Sequence, residues 1–229
     1  MASSGTYTYD PSIADVVLNA YGRIGIRRTD ILVQHLTDAA NEANLALVSF
    51  SNRQPNLWTS ELISQTLSSG VATYTLSNRV VMILSAYIST TVSLNTIDRI
   101  IAPLSTTEYA AIPNKSQTAP PTQFWFDRQV TPQVTVWPVP DTATTYTLKM
   151  RCVRQLQDAS LPSGVTLDLP YRWMDAFTAE LALRLARIYR PEIEDKRKAD
   201  AKEAYDIAAT QDQENVPMYV RPMFSGYYR

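Results

Sequence analysis

The spacing of apolar residues changes twice along the chain, and this change constrains the fold more than any other feature. Near both ends, apolar residues recur every three or four positions, as they do on one face of a helix. In the middle, short runs are rich in β-branched and aromatic side chains, which is typical of strands. We therefore predict an α+β fold: a helical bundle formed by the N- and C-terminal helices, with an inserted antiparallel β module and an extended C-terminal arm.

The N-terminal part predicts two helices. The first covers residues 12–21. The second starts at Thr29, whose hydroxyl suits an N-cap, and its apolar stripe continues to Phe50. Pro55 follows the end of this helix, and a short helix or turn is expected at residues 58–67.

The central part predicts six strands that are separated by prolines and turn residues. Short strands at this spacing favour an antiparallel meander or a small sandwich. Their ranges are 71–76, 80–91, 98–103, 123–126, 133–137 and 146–153.

Two further helices are predicted after Asp168. The first has apolar residues at four-residue steps, which mark either the subunit core or a contact with a neighbouring copy: Trp173, Phe177, Leu181, Leu185 and Tyr189. The second starts at Pro191 and mixes acidic and basic residues over residues 192–206, as a solvated helix does. The predicted parts of the chain are the N-terminal helical part (1–70), the β module (71–157), the C-terminal helices (158–215) and the arm (216–229).

Composition argues against several classes of function. The net charge of −1 provides no general positive field, so stable binding of nucleic acid by counterion release is not expected. Cys152 is the only cysteine and His35 the only histidine, which argues against a disulfide framework, a transition-metal site and any cofactor. The first residues lack the pattern of a secretory signal, and no apolar stretch is long enough for a membrane span. We expect a soluble protein made in a reducing cytoplasm.

Two other functions remain open on the residues alone. Glycan cleavage needs only two carboxylates a few ångströms apart, and the sequence does not show whether any two candidates converge. These candidates are Glu42, Glu61, Asp98, Glu108 and Asp127. Trp125 and Trp137 are compatible with a sugar-stacking platform of a receptor-binding or glycan-binding module, although aromatic residues in strands more often pack in cores.

The arm combines aromatic, Met and Arg residues with no acidic side chain. Residues of these types are the usual anchors at protein interfaces. Pro217 and Pro222 restrict the backbone and lower the entropy cost of ordering it on a partner. The arm is therefore predicted to dock on another protein.

The chain resembles the head-to-tail adaptor, or connector, proteins of tailed bacteriophages. The resemblance covers nearly the whole chain and is strongest in local phrases that suggest a scaffold rather than a reaction. These phrases are LSNRVVMIL (76–84), STTEYAAIPNK (105–115), FDRQ (126–129), VTVWPVPD (134–141), RQLQDA (154–159), LPYRWMDAFTAELALRLARIY (169–189) and VPMYVRPMFSGYYR (216–229).

The resemblance implies a structural protein of the virion neck with no enzymatic activity. Such a protein would form a dodecameric ring below the portal, extend the DNA channel without sequence-specific binding, and contact the next tail or nozzle protein. The portal-binding residues would be Met218, Tyr219, Arg221, Phe224, Tyr227, Tyr228 and Arg229. The stripe from Trp173 to Tyr189 is the candidate for subunit packing, and residues 192–206 are a candidate for channel lining.

Overall fold

The computed structural model describes residues 5–6, 9–53, 57–92, 95–160 and 165–212. Within these ranges the architecture is α+β, with five α-helices and one curled seven-stranded sheet. The helices are α1 (Ile13–Arg23), α2 (Val33–Arg53), α3 (Thr106–Ala111), α4 (Met174–Tyr189) and α5 (Glu194–Gln211). The strands are β1 (Ser60–Leu67), β2 (Thr73–Thr75), β3 (Val80–Val92), β4 (Asn95–Leu104), β5 (Gln123–Asp127), β6 (Gln133–Trp137) and β7 (Tyr146–Arg154).

The first predicted helix is confirmed as α1, but the predicted start of the second is wrong. Thr29 lies in a 3-10 turn (Arg28–Asp30), and α2 starts only at Val33. Just before that start, the backbone N–H of Leu32 donates a hydrogen bond to Nδ1 of His35 at 2.9 Å. The imidazole thus accepts a hydrogen bond from a backbone N–H beside the start of α2. This is the capping role that was predicted for Thr29.

All six predicted strands are present, with ends that shift by up to three residues. The strand order is β1-β7-β3-β4-β5-β6-β2. Neighbouring strands run antiparallel except for β4 and β5, which run parallel. The expected wholly antiparallel module is therefore wrong at this pair, because α3 and the loop after it carry the chain back along β4 before β5 begins.

β1 is the strand that the sequence pattern missed. The segment predicted as a short helix or turn contains a 3-10 turn (Leu57–Thr59) followed by β1. β1 is paired along its whole length with β7. The more buried row of side chains mixes polar and apolar residues: Glu61, Ile63, Gln65 and Leu67. Leu62, which is 50% exposed, lies on the opposite face, so the alternation of apolar and polar residues is weak. Pairing with β7 therefore decides its structure, and it brings residues from the predicted N-terminal helical part into the sheet.

α4 lies at the centre of the helical core, with α1, α2 and α5 packed against it. Four of the five stripe residues have no exposed surface: Trp173, Phe177, Leu181 and Leu185. The ring of Trp173 lies 5.1 Å from that of Trp58 and 5.3 Å from that of Tyr205. Tyr189 is only partly buried and donates a hydrogen bond to Asp38. The stripe thus packs the subunit's own core, and its four buried side chains have no surface for a neighbouring copy in this conformation.

One carboxylate, Glu180, is buried within α4 and is only 5% exposed. Arg53 of α2 donates to it at 3.1 Å, and Arg184 of α4 donates at 3.0 Å. Arg184 also lies 3.5 Å from a carboxylate oxygen of Glu42 in α2. A buried charge without partners is strongly destabilising, so these ion pairs fix α2 against α4.

The helices and the sheet have separate hydrophobic cores. The helical core draws on residues between 13 and 50 and between 156 and 209, whereas the sheet core draws on residues between 67 and 152. Cys152 lies in the sheet core, where burial raises the pKa of its thiol to about 12. The two ends of the chain therefore meet in one helical core although the sheet separates them in sequence.

An ion-pair cluster joins the sheet to the segment that leads into α4. Arg154, the last residue of β7, donates two hydrogen bonds to Asp168, one of them at 2.8 Å. The backbone N–H of Gln157 donates to the same carboxylate at 3.2 Å. Glu61 of β1 accepts a hydrogen bond from Arg79 at 2.6 Å and lies 3.9 Å from Arg154. The bond from Arg154 is the main reason why the pKa of Asp168 is lowered.

We expect Trp173→Ala to lower the free energy of unfolding by about 3 to 5 kcal/mol, because it removes a fully buried aromatic side chain. Urea unfolding followed by circular dichroism measures the change. Tyr171→Ala is the control: Tyr171 is 74% exposed, and its loss should change this free energy by less than about 0.5 kcal/mol. Equal effects of the two substitutions would show that Trp173 does not lie in the core.

Asp168→Asn should weaken the junction in a pH-dependent way. A carboxyl group whose pKa is lowered on folding stabilises the fold above its unfolded pKa, about 3.9, and loses this contribution as the pH falls. We expect a loss of about 2 kcal/mol in the free energy of unfolding at pH 7 and a smaller loss at pH 3. Urea unfolding at both pH values tests this. Asp98→Asn, in the exposed part of β4, is the control, and a pH-independent loss for Asp168→Asn would contradict the assignment.

Candidate interaction surfaces

The predicted portal-binding residues lie outside the described ranges: Met218, Tyr219, Arg221, Phe224, Tyr227, Tyr228 and Arg229. The chain leads to them from α5, and Asp212 follows directly after this helix. Arg172 donates to the Asp212 carboxylate at 2.6 Å, and Arg172 itself lies just before α4. Asp212, the last described residue, is therefore held beside α4.

An open groove begins between the segment before α1, α1 itself and the start of α4, and it continues between α1 and α5. It consists of two clefts, of about 540 Å³ and about 320 Å³, that share Arg23 and Asp175. These two side chains form an ion pair at 2.5 Å. The first cleft is lined by residues that include Tyr9, Asn19, Gly22, Tyr171 and Thr178. The second is lined by residues that include Ala179, Arg197, Asp200, Ala204 and Ile207.

The groove is open where its lining residues are small, and large exposed side chains lie at its edges. A Cβ atom added at Gly22 would meet nothing within 4 Å. Tyr9 and Tyr171 are 73% and 74% exposed, and Ile207 is 59% exposed. The sequence analysis missed this surface because the lining residues come from three separate segments. The one local signal is a glycine within α1, and a glycine there is equally typical of a turn.

The outer face of α2 is exposed and carries no charge. The three charged side chains of this helix all contact partners within the subunit: Asp38 with Tyr189, Glu42 with Arg184 and Arg53 with Glu180. The exposed side chains on the rest of the helix are neutral: Val33, Gln34, Leu36, Thr37, Asn41, Leu45, Val48 and Asn52. Leu45 and Val48, at helical spacing and off the buried stripe, are the sequence signal that could have identified this face.

α5 is a solvated, charged helix. Only Ala201 and Ala208 are buried among its residues. Arg197 pairs with Asp200 at 3.1 Å on the same helix. This arrangement agrees with the solvation expected from its mixture of acidic and basic residues.

The five candidate acids lie on five different elements, namely α2, β1, β4, α3 and β5. Glu42 and Glu61 are paired with arginines, and Asp127 accepts a hydrogen bond from Gln129. Glu108 caps α3, where the backbone N–H of Ser105 lowers the pKa of its carboxyl. A general acid in glycan cleavage needs a raised pKa, so Glu108 has the opposite environment.

Two tryptophans of the sheet contact α3 and the loop that follows it. Trp125 stacks on Tyr109 with ring centroids 5.1 Å apart, and the ammonium of Lys115 lies 5.6 Å from the Tyr109 centroid. The indole N–H of Trp137 donates to the backbone oxygen of Asn114 at 3.1 Å. These contacts attach the STTEYAAIPNK segment to the sheet, and the stack with Tyr109 covers one ring face of Trp125 that a sugar platform would need.

His35 has a structural role at the start of α2. Its ring lies 5.6 Å from that of Tyr21 and 4.7 Å from that of Tyr189. Its backbone oxygen accepts a hydrogen bond from the Tyr21 hydroxyl at 2.6 Å. Burial is the main reason why the pKa of Tyr21 is raised, so this hydroxyl stays protonated and acts as a donor.

Within the described ranges, no group of three or more His, Cys, Asp or Glu side chains is placed to hold a metal ion. No helix within those ranges is both long and apolar enough to cross a membrane.

Comparison with known proteins identifies the family. The sequence model described as SU10 adaptor protein matches residues 8–223, nearly the whole chain. This is a family of phage head-to-tail adaptors, structural proteins whose role implies association with portal and tail proteins in the virion neck. No curated protein matches the chain. The family match confirms the resemblance found in the sequence phrases, and the chain belongs to the SU10 adaptor protein family of tailed bacteriophages.

Proposed function

We propose that the protein forms a dodecameric ring below the portal, where it extends the DNA channel and connects the capsid to the tail. The observation that carries this proposal is the extent of the family match, which spans residues 8–223. The match includes the helical core, the sheet and the first part of the arm, so the adaptor role concerns the whole chain rather than one module. Its four parts (1–70, 71–157, 158–215 and 216–229) would then act as one building block.

The arm would bind the portal. Tyr219, Phe224, Tyr227 and Tyr228 would fill apolar pockets, and Arg221 would pair with an acidic group of the portal. Twelve copies on one ring raise the effective concentration of each arm, so that a single arm can bind modestly. The anchored residue Asp212 gives every arm the same starting position relative to α4.

α5 has the charge that a DNA channel requires. Residues 192–206 contain six carboxylates and four cationic side chains, a net charge of −2. A surface of this kind has no net attraction for the phosphate backbone, so DNA would slide past it without binding. The solvated state of the helix supports this position in the ring.

The aromatic side chains of the arm give the direct test. Replacing Tyr219, Phe224, Tyr227 and Tyr228 by Ser in the full chain should weaken binding to portal rings by at least about tenfold, because it removes the interface anchors. Co-sedimentation with purified portal rings measures the binding, and the melting temperature should not change. Ser225→Ala, within the same arm, is the control and should bind as the wild type does. If the four-residue variant still saturates the portal, the arm is not the portal-binding element.

A further inference from the structure

We propose that the outer face of α2 of one subunit packs into the groove between α1 and α5 of the next subunit. This inference rests on the proposed ring and names the two surfaces that the ring would use. Both surfaces consist of described residues, and both are exposed in the isolated subunit.

The two surfaces lie on opposite sides of α4. Thr178 and Ala179 of α4 line the groove. Glu180 pairs with Arg53 of α2, and the ring of Phe177 lies 6.1 Å from that of Phe50 in α2. Successive residues are separated by about 100° around a helix, so the direction midway between residues 178 and 179 is opposite to the direction midway between residues 177 and 180. A closed ring requires such a heterologous contact between two different faces of each subunit.

The shapes of the two surfaces are complementary. α2 presents a convex ridge on which Leu45 and Val48, 53% and 47% exposed, are large apolar side chains. The groove is concave and is lined by small residues such as Gly22 and Ala179, which allow a helix to approach closely. Exposed Ile207 at its edge offers apolar contact to the incoming ridge.

The charges also fit, because this contact would leave few charges unpaired. Four of the five charged residues that line the groove form two pairs, Arg23 with Asp175 and Arg197 with Asp200, whereas the fifth, Glu203, is exposed to solvent. The outer face of α2 brings no charge into the contact. Burying already paired or neutral groups avoids most of the desolvation cost that opposes a charged interface.

Single cysteines test the contact between copies of the full chain assembled on portal rings. One protein carries Leu45→Cys on the α2 face, and the other carries Asn19→Cys in the groove. Cys152 is buried, and its raised pKa keeps it from reacting. Under mild oxidation we expect disulfide-linked dimers when the two proteins are mixed and at least tenfold less dimer with either protein alone. Dimers of one protein alone would indicate a symmetric contact and would overturn the proposal.

Filling the groove is the second test. Gly22→Leu in the Asn19→Cys protein should reduce the cross-link at least tenfold without lowering the melting temperature, because the added side chain projects into empty space. Gly22→Ala adds only a methyl group and should keep most of the cross-link. Val130→Cys, whose parent side chain is 91% exposed on the sheet module, replaces Leu45→Cys in the control and should not cross-link to Asn19→Cys. An undiminished cross-link with Gly22→Leu would exclude the groove.

Electron microscopy of the same samples separates this inference from the proposed function. Rings on the portal without a cross-link between positions 45 and 19 would overturn the assignment of the two surfaces but would agree with the proposed ring. Absence of rings for the wild-type protein would overturn both. Rings together with the mixed cross-link would support both.

Discussion

The ion pairing of Glu180 inside α4 is the interaction on which the rest of the structure depends. α4 buries eleven of its sixteen residues, and one of these is a carboxylate. Without Arg53 and Arg184 the helix would carry an unpaired buried charge, at a cost of several kcal/mol. Because Arg53 comes from α2, the central helix can be buried only when α2 lies along one side of it.

The neutral outer face of α2 follows from this arrangement. Arg53 points to Glu180, Glu42 to Arg184 and Asp38 to Tyr189, so every charge of the helix is used within the subunit. What remains outside is a mixture of small polar and aliphatic side chains, which costs little to desolvate. A face of this kind would suit a contact in the proposed ring, because it can also remain exposed to water in a free copy.

The sequence predicted the helical stripes and six strands because each has its own periodicity. It failed where a distant contact decides the structure: β1 depends on pairing with β7, and the parallel pair β4–β5 depends on the path of the chain through α3. The start of α2 depends on the His35 imidazole, which no capping rule anticipates. Docking by the arm was predicted from composition, since interface-anchor residue types form a contiguous segment, and the portal as its partner was predicted from the family resemblance; both stay predictions. The groove could not be identified from the sequence, because Tyr9, Gly22 and Tyr171 come together only after folding.

Burial of the stripe within the subunit decides how assembly relates to folding. Trp173 and Leu181 lose all their exposed surface within one chain, so a single copy gains the main hydrophobic stabilisation before it meets another. Contacts between copies would then use only modest surfaces such as Leu45 and Val48, and each would be weak alone. In the proposed ring, a portal that holds every arm would deliver each copy at high effective concentration, so these weak contacts would add together. We expect a single copy to fold without its neighbours, so assembly would not require it to unfold or exchange its core.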